Sequence, residues 1–170
     1  MDRITKQQRS ANMAAIRCRD TAPEIAVRRI LRSLGVGYRL HGKNLPGRPD
    51  IVMRGRRRVI LVHGCFWHRH DRCRFACTPK SRQDFWDDKF AATVARDLRN
   101  LRLLRESGWK VLVLWECNTT DAQMTTRQIM SFLELPLTPE RSRNCASGKN
   151  QARLEAGFCA TAWVRPLNKC

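Results

Sequence analysis

The sequence predicts an α/β domain in which helices flank a central mixed β-sheet. Apolar runs of strand length occur at 51–53, 59–62 and 110–115, and apolar residues recur with helical spacing at 24–34 and 84–107. The longest helical stretch lies between two buried-type strands, as a crossover in a partly parallel sheet does. With 170 residues of which 42% are hydrophobic, the chain can bury one core, which argues against wholesale disorder and against a multidomain assembly.

Each element has a local reason. Asp20-Thr21-Ala22-Pro23-Glu24 combines capping residues, an early proline and an acidic first turn, so a helix should follow, with Ile25, Val27, Ile30, Leu31 and Leu34 mostly on one face and Gly35 as its stop. Val36 to Leu40 alternates as a short strand. Asn44-Leu45-Pro46-Gly47-Arg48-Pro49 is a turn-rich connection that delivers Asp50 to the start of the next strand. Ile51–Met53 and Val59–Val62, joined by a basic turn, form a hairpin that sets Asp50 and His63 at the same end of adjacent strands. Asp84 to Ser107 is the longest helix, with Trp86, Phe90, Thr93, Val94, Asp97, Leu98, Leu101 and Leu104 at intervals of three to four and Gly108 at its end. Lys110 to Trp115 is a buried strand and Asp121 to Leu135 a closing helix. From Pro136 onward the pattern fades into a basic tail.

Thirty-three Lys and Arg against 15 Asp and Glu give a net charge of +18. Such an imbalance selects polyanionic partners, and the basic residues, mostly Arg, are scattered as on a folded phosphate-gripping surface. Solubility alone needs a net charge of only roughly 2 to 8. No apolar run approaches the roughly 20 residues of a spanning helix, and the N-terminus does not read as a signal peptide, so an intracellular nucleic acid is the expected partner. The eight cysteines then read as metal ligands and core residues rather than a disulfide scaffold.

Cys65, His70 and Cys73 lie within nine residues, and Cys117 follows the strand to which the long helix returns. Three thiolates and an imidazole suit a closed tetrahedral zinc site that staples the loop to the sheet edge, with His68 or Cys77 as substitutes in the ligand set. The plainer reading is two buried cysteines and a surface histidine. Asp50, at a strand start, is placed to hold a hard divalent ion against a phosphate, and His63 and His68 bring imidazoles that can move protons. Glu24 could fix a histidine's tautomer if its helix packs at this end. Met13, Phe66, Trp67 and Trp86 could enter between base pairs as wedges, against the alternative of core packing, which is the expected role of Phe85.

Asn12-Met13 to Asp20-Thr21, Leu45-Pro46-Gly47-Arg48-Pro49-Asp50, His63-Gly64-Cys65-Phe66-Trp67-His68-Arg69-His70, Phe85-Trp86 with Lys89, Arg96-Asp97 and Trp115-Glu116-Cys117 together resemble the very short patch repair (Vsr) endonucleases. The resemblance covers roughly residues 5 to 135. It implies a restriction-endonuclease-like fold and a bacterial, strand-specific nickase that cuts 5′ of the thymine in T:G mismatches left by deamination of 5-methylcytosine. It implies catalytic Mg2+, structural Zn2+, double-stranded DNA containing the mismatch as partner, and mismatch-repair accessory proteins and DNA polymerase acting downstream in a bacterial, nucleoid-associated cytoplasmic setting; a monomer is expected because one mismatch lacks two-fold symmetry.

Carried over by matching motif, Asp50 binds magnesium, His68 acts at the phosphate, His63 is its partner, Glu24 supports a histidine and Asp97 orients His68. Cys65, His70, Cys73 and Cys117 bind zinc, and Met13, Phe66, Trp67 and Trp86 intercalate. The Glu-x-Lys pair usual in restriction enzymes is missing from Val59–Val62, so histidines must replace it, and a backbone carbonyl near Val62 could add an oxygen ligand. Thr93 stands where the family often has asparagine. The implied division is a DNA-contacting arm (1–20), a catalytic domain (21–135) and the tail (136–170). Two further readings remain: a non-catalytic zinc-stabilised DNA-binding module, which leaves Asp50 and His68 idle, and an RNA-binding protein, which shares only the charge.

Overall fold

The computed structural model describes residues 5, 7, 8, 11, 14, 15 and 19–136. Helix α1 (Ala22–Ser33) begins where Thr21 accepts the Glu24 N–H and donates its hydroxyl to the Glu24 carboxylate, a reciprocal cap that places Pro23 in the first turn. It ends in a Schellman motif: Gly35, at φ +67°, donates to the Arg32 carbonyl and Val36 donates to that of Leu31.

Val36 therefore completes the helix cap and buries its side chain in the core instead of starting a strand. The expected strand 36–40 shrinks to β1 (Arg39–Leu40), because its partner β2 (Ile51–Met53) offers pairing only to Arg39 and Leu40. After a short 3-10 turn at Arg54–Arg56, β3 (Arg58–His63) pairs antiparallel with β2. Helix α2 (Gln83–Glu106) then crosses over to β4 (Lys110–Trp115), which lies parallel to β3. The sheet order is β1-β2-β3-β4. Helix α3 (Ala122–Leu133) closes the described fold, its first turn capped by the Asp121 side chain on the Met124 N–H.

Strand alternation divides the core between the two faces of this mixed sheet. Ile51, Met53, Ile60 and Leu114 face Val27 and Leu31 of α1 and Ile129 and Leu133 of α3. Val52, Val59 and Leu61 face Leu104 of α2 and Trp109. Each buried Leu or Ile contributes about 1.5–3 kcal/mol, so burial on both faces contributes to holding the sheet in place. On α2 the inward line is Phe90, Val94, Asp97, Leu101 and Leu104. Two expectations fail here: Leu98 and Phe85 are exposed, at 62% and 45%, because the crossover helix touches the sheet along one narrow stripe and its N-terminal turn overhangs the edge.

At the other end of β3, Arg58 is 5% exposed and pairs with Glu134 at 2.6 Å, while Lys110 reaches the same carboxylate at 2.9 Å. These cations hold Glu134 below the ordinary carboxylate range and tie the end of α3 to the sheet. Among the described residues no helix is long and apolar enough to cross a membrane. The Met13 position and residues 137–170, including Cys145, Cys159 and Cys170, lie outside those described.

Candidate active site and metal centre

The parallel register of β3 and β4 pairs His63 with Trp115, so both strands leave the sheet at the same edge. Glu116 locks the two exits together: its N–H donates to the His63 carbonyl (2.9 Å) and its carboxylate accepts from the Cys65 N–H (3.2 Å). The tract from His63 to His70 then turns tightly, with His68 N–H on the Gly64 carbonyl and His70 N–H on that of Cys65. Adjacent side chains consequently point to different neighbours.

Cys65, His70, Cys73 and Cys117 converge, their ligand atoms all within 4.8 Å of one another. His70 presents Nδ1 to the sulfurs of Cys117 (3.2 Å) and Cys65 (3.7 Å), and its ring stacks on Trp115 at 4.2 Å. Burial pushes the Cys65 thiol up to about 12 and raises that of Cys117, so neither sulfur ionises there without a cation. Three sulfurs and one imidazole in a closed cluster fit tetrahedral zinc, which deprotonates coordinating thiols. Neither His68 nor Cys77 belongs to this group; His68 joins a second one with His63 and Asp97.

In that second group the His63 and His68 rings stack face to face, 3.9 Å apart, and Asp97 reaches from α2 to place a carboxylate oxygen 2.5 Å from His68 Nδ1. An ionised carboxylate only accepts hydrogen bonds, so Nδ1 is the ring nitrogen that donates to Asp97, and Nε2 of His68 is the one left to meet a substrate. His63 is 8% exposed, and burial together with the neighbouring His68 lowers it to about 4, which leaves it neutral near pH 7.

Asp50 arrives at this edge because β2 runs antiparallel to β3. Its carboxylate accepts the Val62 N–H at 2.8 Å, and burial, reinforced by the charge of Glu24, raises its pKa. The turn before it is held by Gly47, at φ +70°, where a Cβ would come within 3.0 Å of Asn100 on α2. A half-buried carboxylate destabilised by a neighbouring acid has the character of a divalent-cation ligand, since a bound cation offsets both penalties.

Glu24 is almost fully buried, accepting from the Asp20 N–H and the Thr21 hydroxyl and pairing with Arg28 at 2.8 Å. The histidine beside it is His41, which clusters with Asp20 and Glu24, while His63 and His68 are served by Asp97. His41 also donates its N–H to the Asp50 carbonyl. Sequence reading passed over His41 and Arg28: one stands alone in a polar turn at φ +50°, the other is one of many arginines, and no spacing marks either.

Phe66, Trp67, Trp86 and Phe90 form a continuous aromatic cluster with ring centroids 5.0–6.2 Å apart. Lys89 lies over Trp67, Trp86 and the exposed Phe85, and Arg69 lies over Phe90. The first three of the clustered rings are only half-buried, so the cluster is packed at its base and open at its rim.

Residues 1–74 match the family model described as DNA mismatch endonuclease Vsr. The type II nicking enzyme V.XorIIP of Xanthomonas oryzae pv. oryzae is 44% identical over 133 residues, 78% of this chain and 97% of that protein. The DNA mismatch endonuclease Vsr of Escherichia coli is 43% identical over 128 residues, 72% of this chain and 81% of the relative. The type II nicking enzyme V.NmeAIP of Neisseria meningitidis is 40% identical over 116 residues, 68% and 82% of the two chains.

Proposed function

Because the chain belongs to the family of the DNA mismatch endonuclease Vsr, we propose that it nicks one strand of duplex DNA on the 5′ side of the thymine in a T:G mismatch, the product of 5-methylcytosine deamination. The observation that carries this reading is the meeting of Asp50 with the His63–His68–Asp97 group at one sheet edge beside an open aromatic rim.

Asp50 would hold a magnesium ion, which polarises the scissile phosphate and offsets charge on the departing 3′-oxygen. His68, oriented through Nδ1 by Asp97, offers Nε2 for proton transfer at the phosphate. Neutral His63, stacked against it, accepts a hydrogen bond or proton and confines His68 to one ring plane. Glu24, fixed by its cap and by Arg28, adds negative charge beside Asp50 and so favours cation binding. The Cys65–His70–Cys73–Cys117 group, closed by zinc, would hold rigid the loop that carries His68, Phe66 and Trp67.

Phe66, Trp67 and Trp86 supply rings for insertion next to the mismatch, where a T:G pair costs less to unstack than a matched one. Met13 would add a wedge from residues 1–20. The chain acts as a monomer in a bacterial cytoplasm, 21–135 forming the catalytic unit, and repair proteins and a polymerase act on its nick.

The test is incubation of the zinc-loaded protein and magnesium with end-labelled duplexes that differ only in carrying T:G, T:A or C:G. A single nick 5′ of the thymine, confined to T:G and abolished in Asp50→Ala while DNA binding persists, is expected. Tight binding without cleavage in any flanking sequence would replace this reading with a binding module.

A further inference from the structure

The hairpin turn between β2 and β3 lies at the end of the sheet remote from the catalytic edge. Six-residue β3 separates Arg58 from His63 by about 17 Å at ~3.3 Å per residue. Arg54, Arg56 and Arg57 are all exposed in this turn. The parallel register sets Arg58 beside Lys110, which brings the end of α2, with exposed Arg105, against the same turn. Arg57 is committed to the fold: its guanidinium donates to the Ser107 carbonyl at 2.5 Å and lies over the Trp109 ring. Arg58 and Lys110 share Glu134, and Arg102 pairs with Glu106. Arg54, Arg56 and Arg105 form no ion pair among the described residues.

We infer that this turn is a second polyanion-binding surface, which grips the phosphate backbone of a DNA segment other than the one at the catalytic edge. The chemistry selects the partner. The patch is cationic, and the turn 54–57 carries only arginine side chains and a glycine, whereas a protein interface needs a cluster of desolvated aromatic or aliphatic anchors. Among the described residues Trp109 is buried beneath Arg57 and the half-buried Phe132 is covered by Arg58, so neither ring offers an open platform for stacking the unpaired bases of single-stranded RNA. Guanidinium groups around an open turn suit sequence-independent contacts to a duplex backbone. Placed behind the active edge, they cannot serve the duplex being cut without bending it around the molecule. They can hold a neighbouring segment and raise its local concentration during the search for a mismatch.

This inference rests on DNA being the substrate, and the experiment reads the two separately. Zinc-loaded full-length protein is mixed with a short donor-labelled T:G duplex and a short acceptor-labelled matched duplex. Energy transfer reports simultaneous capture, and nicking of the T:G duplex reports the catalytic edge. In R54E/R56E, transfer should drop about tenfold, and the salt slope for long DNA should lose roughly 2, at ~0.9 per phosphate contact. Nicking of the short duplex should stay at the wild-type rate. R29E/R32E, the same charge change at exposed positions on α1, should keep the transfer.

The inference is overturned if the wild-type protein shows no transfer, if both variants lose it equally, or if R54E/R56E nicks the short duplex more slowly. Displacement of the second duplex by polyglutamate or single-stranded RNA more readily than by duplex DNA overturns it as well. Failure of the wild-type protein to nick while transfer persists would instead refute the proposed catalysis and leave the second surface standing.

Discussion

At Asp97 a carboxylate oxygen 2.5 Å from His68 Nδ1 engages that ring nitrogen and leaves Nε2 as the one facing away from the carboxylate. Asp97→Asn should preserve the contact but allow the wrong tautomer. We expect kcat to drop by about a hundredfold or more with KM little changed, on the scale of what a positioned proton donor or acceptor contributes; a loss confined to KM would mean that Asp97 serves binding alone. His63 makes a prediction in pH. A histidine in the unfolded chain titrates near 6.5, and the folded one is held at about 4. Between those values the unfolded chain binds the extra proton, so the contribution of His63 to stability is present above 6.5 and lost as pH falls towards 4. The melting temperature should decline over that window, and His63→Phe should flatten the decline; an identical slope in the variant would show that other groups carry it. Asp50, His63 and His68 were legible in the sequence because residue types and strand ends announce them. His41 was not, because its place beside Glu24 and Asp50 follows from a left-handed turn at a residue other than glycine, which no local pattern encodes.

Secondary elements explain how ligands far apart in sequence meet. The crossover from β3 through α2 to β4 returns the chain to the edge it left, so Cys117 reaches Cys65 and His70 without any local motif. Chelation, or Cys117→Ser, should take bound zinc from stoichiometric to none and lower the melting temperature by on the order of 10 °C, given that a few kcal/mol is lost in a domain of this size. Metal analysis with calorimetry checks both, and a variant that keeps zinc and its melting point would remove Cys117 from the ligand set. Strands β3 and β4 and the bounds of α1, α2 and α3 followed from apolar periodicity and caps to within about two residues. Strand β1 did not, because the alternation of Val36–Leu40 carries no sign that Val36 is already spent closing α1. Phe85 escaped for a related reason: periodicity identifies a helix face, but where that face runs past the sheet depends on the packing of the whole layer.

For the molecule as a whole, a sheet packed on both faces leaves only its edges and ends for function, and the two ends of β3 have different chemistry. One end gathers buried titratable groups and open rings, the other free arginines. If the rings act as wedges, Trp67→Ala should weaken binding to a T:G duplex by about 1–3 kcal/mol, the worth of one base–aromatic stack. It should also abolish the fluorescence rise of a base analogue placed beside the mismatch, and an unaltered rise would assign the ring to packing alone. Charge and composition foretold a nucleic-acid partner, but scattered arginines could not foretell their division between two ends, since that depends on which ones neighbouring carboxylates neutralise. The tract from His63 to His70 has one more consequence. Proton-transfer, sulfur, ring and imidazole ligand groups succeed one another along eight residues, each assigned to its neighbour by a tight turn. A single inserted or deleted residue would hand every group the wrong partner at once, so this stretch, and its continuation to Cys73, can diverge only by substitution, while a change of length falls in the loop beyond Cys73.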